Sequence, residues 1–188
     1  MTSADNQKNT DEQLVARILR GEKKLFDVLF DRYIERLLRY VVLFLKSDEE
    51  ARDLTQEIFI KVFRSLDQYK FMGKFERWLF VIARRTLIDQ YRKKKLKTFS
   101  FDSMDMDESA IPVQEESPDK APELLQGLPV RDREILQLRF MENMSYEEIS
   151  EITGMTQGSL RNVVCRWIRR IQEDNSDELP KSQGMARE

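Results

Sequence analysis

The chain has 188 residues, a length that accommodates one medium domain or two small ones. It contains no histidine and one cysteine, Cys165. This excludes Ser-His and Cys-His nucleophile pairs, histidine or cysteine-cluster metal sites and any disulfide within the chain. A formal net charge of −2 argues against indiscriminate coating of nucleic acid, and the scarcity of glycine and proline favours helices over a β-sandwich.

Thr10-Asp11-Glu12-Gln13 fits a capping box, and Leu14, Val15, Ile18 and Leu19 follow it, so a first helix is predicted there, ended by Gly21. A second helix carries Phe26, Leu29, Phe30, Tyr33, Leu37, Tyr40, Val41 and Phe44 at three- and four-residue spacing. Ser47-Asp48-Glu49-Glu50 is a further capping box. It opens a helix with Ala51, Leu54, Ile58, Val62, Phe63 and Leu66 on the predicted buried side and Asp53, Gln56, Glu57 and Ile60 on the other. A loop over 67–74 holds Tyr69 and Phe71, with Gly73 as its flexible point. The next helix, from about Phe75 to Lys95, buries Phe75, Trp78, Leu79, Ile82 and Ala83, and its second half turns basic.

Residues 98–122 show no sustained period, an acid excess and three prolines, and read as a flexible linker. Helical pattern resumes over Leu124 to Arg139, starting near Pro129. Ser145-Tyr146-Glu147-Glu148 is a third capping box before a short helix to Ile152. Thr153-Gly154 makes a turn, Thr156 caps a last helix to about Gln172, and a polar tail follows. The fold class expected is all-α: two small helical domains, 10–97 and 123–174, tethered at a distance by the linker, with a tail over 175–188.

Charge is segregated along the chain. Between Arg84 and Lys97 seven cations face one acid, between Asp102 and Glu123 eight acids face one lysine, and between Met155 and Ile171 four arginines face none. Local basic patches bind phosphate even in a mildly acidic chain. Asp102, Asp105 and Asp107 lack the glycine and the terminal acid of a calcium loop. No catalytic, metal or cofactor site and no small-molecule substrate is expected. The polar N-terminus lacks the apolar core of a signal peptide, and the longest apolar run, Tyr40 to Leu45, is far too short to span a membrane. A cytoplasmic protein is expected.

The segment Tyr146 to Cys165 reads as a helix-turn-helix. Ile149 and Ser150 supply the apolar and small residues of the first helix, Gly154 the turn, and Met155, Leu160 and Val163 the packing of the second. Thr153 is polar where an apolar residue is usual. The second helix then offers Gln157, Arg161, Asn162, Cys165 and Arg166 outward. Arginine can bond guanine and asparagine adenine in the major groove, while Arg169 and Arg170 suit phosphate. The alternative is a helical hairpin with a solvated basic face. Upstream, Tyr69, Phe71 and Trp78 beside a basic helix could stack single-stranded bases. Trp78 also sits at core spacing, and the lysines of residues 93–95 also suit the negative end of the helix dipole.

DLTQEIFIKVFRSLDQY (53–69), FERWLFVIARRTLIDQYRKK (75–94) and LPVRDREILQLRFMENMSYEEISEITGMTQGSLRNVV (128–164), in that order, resemble the extracytoplasmic-function sigma factors. The resemblance implies a subunit that directs RNA polymerase to promoters. It implies that Asp53, Gln56, Glu57 and Ile60 grip the β′ subunit of core polymerase, which the chain meets together with β. It implies that Tyr69, Phe71, Lys74 and Trp78 capture the minus-ten element, and that Arg84, Arg85, Arg92 and Lys93 touch DNA just upstream. It implies that Gln157, Arg161, Asn162, Cys165, Arg166 and Arg169 read the minus-thirty-five element, and that an anti-sigma factor regulates the chain. The chain departs from the family pattern at Arg85, usually asparagine, at Asn162, commonly serine, and at Val163, usually arginine. The other readings are a helix-turn-helix regulator acting without core polymerase and a sigma-like adaptor that binds core polymerase only.

Overall fold

The computed structural model describes residues 9–45, 47–70, 73–98 and 127–177. Of the expected linker over 98–122, only Thr98 is described, as the last residue of a helix; residues 99–122, Phe71 and most of the tail lie outside them. Helix α1 (Asp11–Leu19) starts as the sequence predicts. The Thr10 hydroxyl accepts from the Gln13 N–H, and the Gln13 side chain returns the bond to the Thr10 N–H. A 3₁₀ turn, Lys23–Leu25, leads into α2 (Phe26–Val42), and α3 spans Asp48–Arg64. At α3 only half of the expected box forms. Ser47 accepts from the Glu50 N–H, while the Glu50 carboxylate pairs with Lys94, 2.8 Å away.

Helix α4 (Phe75–Thr98) follows a short 3₁₀ turn, Leu66–Gln68. Its start is tied to α1, because the Phe75 N–H donates to Glu12 Oε1 at 3.4 Å. The α1–α2 contact is polar as well: Arg32 pairs with Asp11 at 2.6 Å, and the Tyr33 hydroxyl donates to the same carboxylate. Within this bundle Leu14, Leu29, Leu37, Leu54, Ile58, Phe75, Leu79 and Phe80 are fully buried. Burying such a side chain contributes roughly 1.5–3 kcal/mol each. Phe63 departs from expectation. It is 40% exposed, and Phe59 fills the buried place, with its ring 4.7 Å from that of Phe30.

The second group begins at α5 (Val130–Leu136), with Pro129 at its cap. It continues into a π turn, Gln137–Met141, closed by the Glu142 N–H donating to the Gln137 carbonyl at 3.1 Å. Helix α6 (Tyr146–Thr153) opens on a complete Ser145–Glu148 box and stops at Gly154, whose φ of 74° is the left-handed conformation glycine adopts most cheaply. Helix α7 (Gln157–Asp177) runs beyond the expected end at Gln172.

The two groups of helices do not stand apart as expected. Residues of both, from Leu14 to Leu87 and from Ile135 to Val164, belong to one continuous apolar cluster, and α4 lies directly against α6. The sequence pattern marks which face of each helix is apolar and leaves open which face covers it.

The Ser145 cap predicts a measurable loss. Ser145→Ala should cost about 1 kcal/mol in chemical denaturation, and Ser145→Gly only a few tenths. Burial opposes ionisation of Glu148, but the Ser145 N–H and the Lys74 ammonium outweigh it and hold its carboxyl below the ordinary value of 4.5. The stabilisation is therefore complete above 4.5 and is lost as pH falls through the lower folded value. A pH series of denaturation curves should show this acid loss in the native chain and a shallower one in Glu148→Gln.

Candidate nucleic-acid interface

The turn between α6 and α7 is stitched by the residue that looked out of place. Thr153 is buried; its hydroxyl donates to the Ile149 carbonyl at 2.7 Å and accepts from the Met155 N–H at 3.3 Å. The Ser150 hydroxyl donates to the Met155 carbonyl at 2.6 Å. A threonine here gives the Met155 N–H, just past the end of the helix, an acceptor that an apolar side chain would not supply. Leu160, Val163 and Val164 face inward, so Val163 is a packing residue.

Gln157, Arg161, Asn162, Cys165, Arg166 and Arg169 are all exposed on α7 and fall on two adjacent rows of three- and four-residue steps, 157–161–165–169 and 162–166. Arg161 is held in place: its guanidinium lies 5.2 Å from the Tyr146 ring centroid and donates to Gln157 Oε1 at 3.1 Å. Arg139 meets the same ring at 4.8 Å. Tyr146 thus carries two cations, a contact of about 0.5–1 kcal/mol each at an exposed site. Arg166 lies 3.6 Å from Asp132.

On α3, Asp53, Gln56, Glu57 and Ile60 form one exposed stripe. Ile60 is 51% exposed, and Phe63, placed one turn further on, extends the stripe with a second apolar side chain. The sequence reading missed Phe63 because its spacing suits either side of the helix.

The loop and α4 are more mixed. Lys74, Arg85, Arg92 and Lys93 are exposed. Tyr69 is buried, with its ring 5.4 Å from that of half-buried Trp78 and 6.0 Å from that of Phe75. Its hydroxyl donates to the Gly73 carbonyl, and burial pushes its pKa up to about 12. Gly73 has φ of 140°, and a Cβ there would fall 2.1 Å from the Arg77 guanidinium. In this arrangement Tyr69 is a packing residue of the loop stem, not a free stacking surface.

Arg84 is also buried, and its Nε donates to Glu134 Oε1 at 3.0 Å. The Tyr40 hydroxyl donates to the same oxygen at 2.6 Å. Burial pushes the Glu134 carboxyl up, against the pull of Arg84, and pushes the Tyr40 hydroxyl well up. Arg84 is thus tied to α5 rather than presented to solvent. The signal was available: Arg84 stands four residues after Phe80 and three before Leu87, at core spacing.

Residues 29–97 match the Sigma-70 region 2 family, and residues 119–170 match Sigma-70, region 4. The chain is 31% identical to the RNA polymerase sigma-H factor of Pseudomonas aeruginosa, over 83% of this chain and 89% of that one. It is 30% identical to the ECF RNA polymerase sigma-E factor of Escherichia coli K12, over 84% and 90%. The solved structure of CnrH in complex with the cytosolic domain of CnrY superposes with a TM-score of 0.63 at 19% identity, covering 90% of this chain and 99% of that one.

The chain belongs to the extracytoplasmic-function group of the sigma-70 family. It is an RNA polymerase sigma factor, a subunit that joins core polymerase and directs it to promoter DNA. The helix-turn-helix of this sigma factor lies within its region 4 match, and the α3 stripe and basic α4 lie within its region 2 match. No helix among the described residues is long and apolar enough to cross a membrane.

Thr153→Val keeps the shape of the turn and removes both hydroxyl bonds. It should destabilise the sigma factor by about 0.5–1.5 kcal/mol, the net contribution of the hydrogen bond lost at the half-buried Met155 N–H, read from denaturant unfolding.

Proposed function

We propose that the sigma factor divides promoter recognition between its two helical units, 10–97 and 123–174, joined by the linker 98–122. The exposed Gln157–Arg169 side of α7, following a glycine-stopped helix and a turn, carries this reading. Its N-terminal part enters the major groove of the minus-thirty-five element. Arg161, already oriented by Tyr146 and Gln157, hydrogen-bonds a base edge; Asn162, Cys165 and Arg166 line the groove, and Arg169 meets phosphate.

The α3 stripe of Asp53, Gln56, Glu57 and Ile60, lengthened by Phe63, is the docking face for core polymerase. A stripe with acids at one end and exposed apolar side chains at the other suits a basic, amphipathic helical partner. Lys74, Arg85, Arg92 and Lys93, with Trp78 at the rim, hold the opened strand of the minus-ten region. Unstacking a base costs a few kcal/mol, and binding energy from both units and from polymerase offsets it. The chain does no covalent chemistry itself, works in the cytoplasm, and is held in check by an anti-sigma factor. The last point is supported by its likeness to CnrH, solved with the cytosolic domain of CnrY, and to RpoE of Bartonella quintana, solved with the anti-sigma factor NepR.

Reconstituted transcription with purified core polymerase tests the whole. The native chain should select discrete start sites, and it should bind promoter fragments tightly only with core present. Tight unaided binding to a palindromic site would instead favour an ordinary helix-turn-helix regulator, and core binding without start-site selection an adaptor. Asp53→Lys with Glu57→Lys should abolish core binding in pull-down; unchanged affinity would move the docking face elsewhere. Arg161→Ala should cost about 1–3 kcal/mol, roughly ten- to a hundredfold, at one upstream base pair and leave core binding intact.

A further inference from the structure

At the start of α6 one ring stands between two cations. Arg139 lies over the Tyr146 ring at 4.8 Å and Arg161 at 5.2 Å, measured from guanidinium carbon to ring centroid. The three residues come from three different elements, the π turn, α6 and α7. Both ends of the row are tied down. Arg139 donates to the Met144 carbonyl at 2.7 Å, and Arg161 donates to Gln157 Oε1, one turn back on α7, at 3.1 Å. The ring itself has little room to move. Tyr146 is the first residue of α6, directly after the Ser145 cap, and it is half-buried against the apolar cluster.

The chemistry of this brace suits DNA. Among the described residues no carboxylate pairs with Arg161, whereas Arg166, on the adjacent row of α7, lies 3.6 Å from Asp132. A carboxylate fixes an arginine, but it also cancels the charge, repels an incoming phosphate backbone and must be displaced by the base. An aromatic ring attracts the charge without neutralising it. Gln157 takes one N–H of the several that a guanidinium carries. Arg161 is therefore held and still charged, with donors left for the N7 and O6 acceptors of a guanine edge. An unbraced arginine gives up rotamer freedom when it docks, and that loss subtracts from binding. A loose one also reaches neighbouring phosphates, which carry no sequence information.

We propose that Tyr146 is a positioning residue for readout of the upstream element: through its ring, and without touching a base, it aims Arg161 and so sets how strongly one base pair is discriminated. Arg139 holds the ring from its other neighbour and keeps it from following Arg161 outward. This rests on the promoter reading above and deepens it, because selectivity at that pair then belongs to a residue of α6 as well as to α7. The hydroxyl of Tyr146 has no part in the device; the ring does.

The test uses the full chain assembled with core polymerase. The DNA is a set of fragments carrying the start sites that the native assembly selects, with each upstream position varied through every base pair. Arg161→Ala locates the pair that Arg161 reads. At that pair Tyr146→Leu should lower discrimination about two- to fivefold, the worth of one exposed cation–ring contact. Discrimination at the other positions and binding to core polymerase should not change. Tyr146→Phe keeps the ring and should keep native discrimination. In an Arg161→Ala background Tyr146→Leu should have no further effect at that pair, because the ring has no cation left to aim. A loss shared by all positions overturns the proposal, since it marks a merely structural role. A loss equally large in the Arg161→Ala background overturns it too, and so does a Phe variant as poor as the Leu variant, which would assign Tyr146 to a hydroxyl contact with phosphate. The two ideas fail differently. If Arg161→Ala relaxes no position, the promoter reading of Arg161 falls and the positioning role with it. If Arg161→Ala relaxes one position and Tyr146→Leu acts independently of it, only the positioning role falls.

Discussion

A single carboxylate organises the contact between the two halves of the molecule. Glu134 is enclosed between α2, α4 and α5 and receives hydrogen bonds from Tyr40 and Arg84 on one oxygen. An isolated charge in such a place is costly, and so is an isolated guanidinium. Each is tolerable because the other is there. Tyr40 belongs to the core of the first unit, where its ring packs edge-on against Phe80 at 5.1 Å. The polar contact is therefore seated in apolar packing on the first unit's side, and it fixes where α5, and with it the helix-turn-helix, can rest.

The geometry gives the molecule two surfaces of different character. The α7 side is basic, exposed and already ordered, with Arg161 braced against Tyr146. The α4 side is basic as well, but part of it is engaged by the acids of α5 and α6. The α3 stripe carries acids and exposed apolar groups together. A subunit that must meet a large protein and two separate stretches of DNA needs surfaces that do not compete for the same partner. Here the acidic and basic regions lie on different helices.

Much of this was legible in the residues. The Thr10 and Ser145 boxes, the glycine stop at 154 and the outward side of α7 all depend on contacts within one or two turns, which spacing encodes directly. What spacing does not encode is which apolar face meets which. Arg36 and Glu142 are 106 positions apart, and nothing local links them. The chemical types of Arg84 and Tyr69 suggest a phosphate ligand and a stacking ring, but Arg84 stands at a core position and Tyr69 beside one, and both are buried. Thr153 was the reverse case, a polar residue that seemed a defect and turned out to satisfy the turn's backbone. Phe63 marks the limit of periodicity at a helix end, where one residue suits either side.

The π turn over Gln137–Met141 takes one residue more per hydrogen-bonded loop than an α-helix does. Removing any one of those five residues would let an ordinary α turn close in its place, and everything downstream would be rotated by about 100° and drawn back by ~1.5 Å. Glu142 would swing away from Arg36, and Phe140 and Met141, now facing solvent, would be driven toward the interior. The reading frame of the helix-turn-helix relative to the rest of the chain is thus set by a single surplus residue. Substitution of the exposed Phe140 or Met141 should be tolerated far better than a change in the length of this stretch.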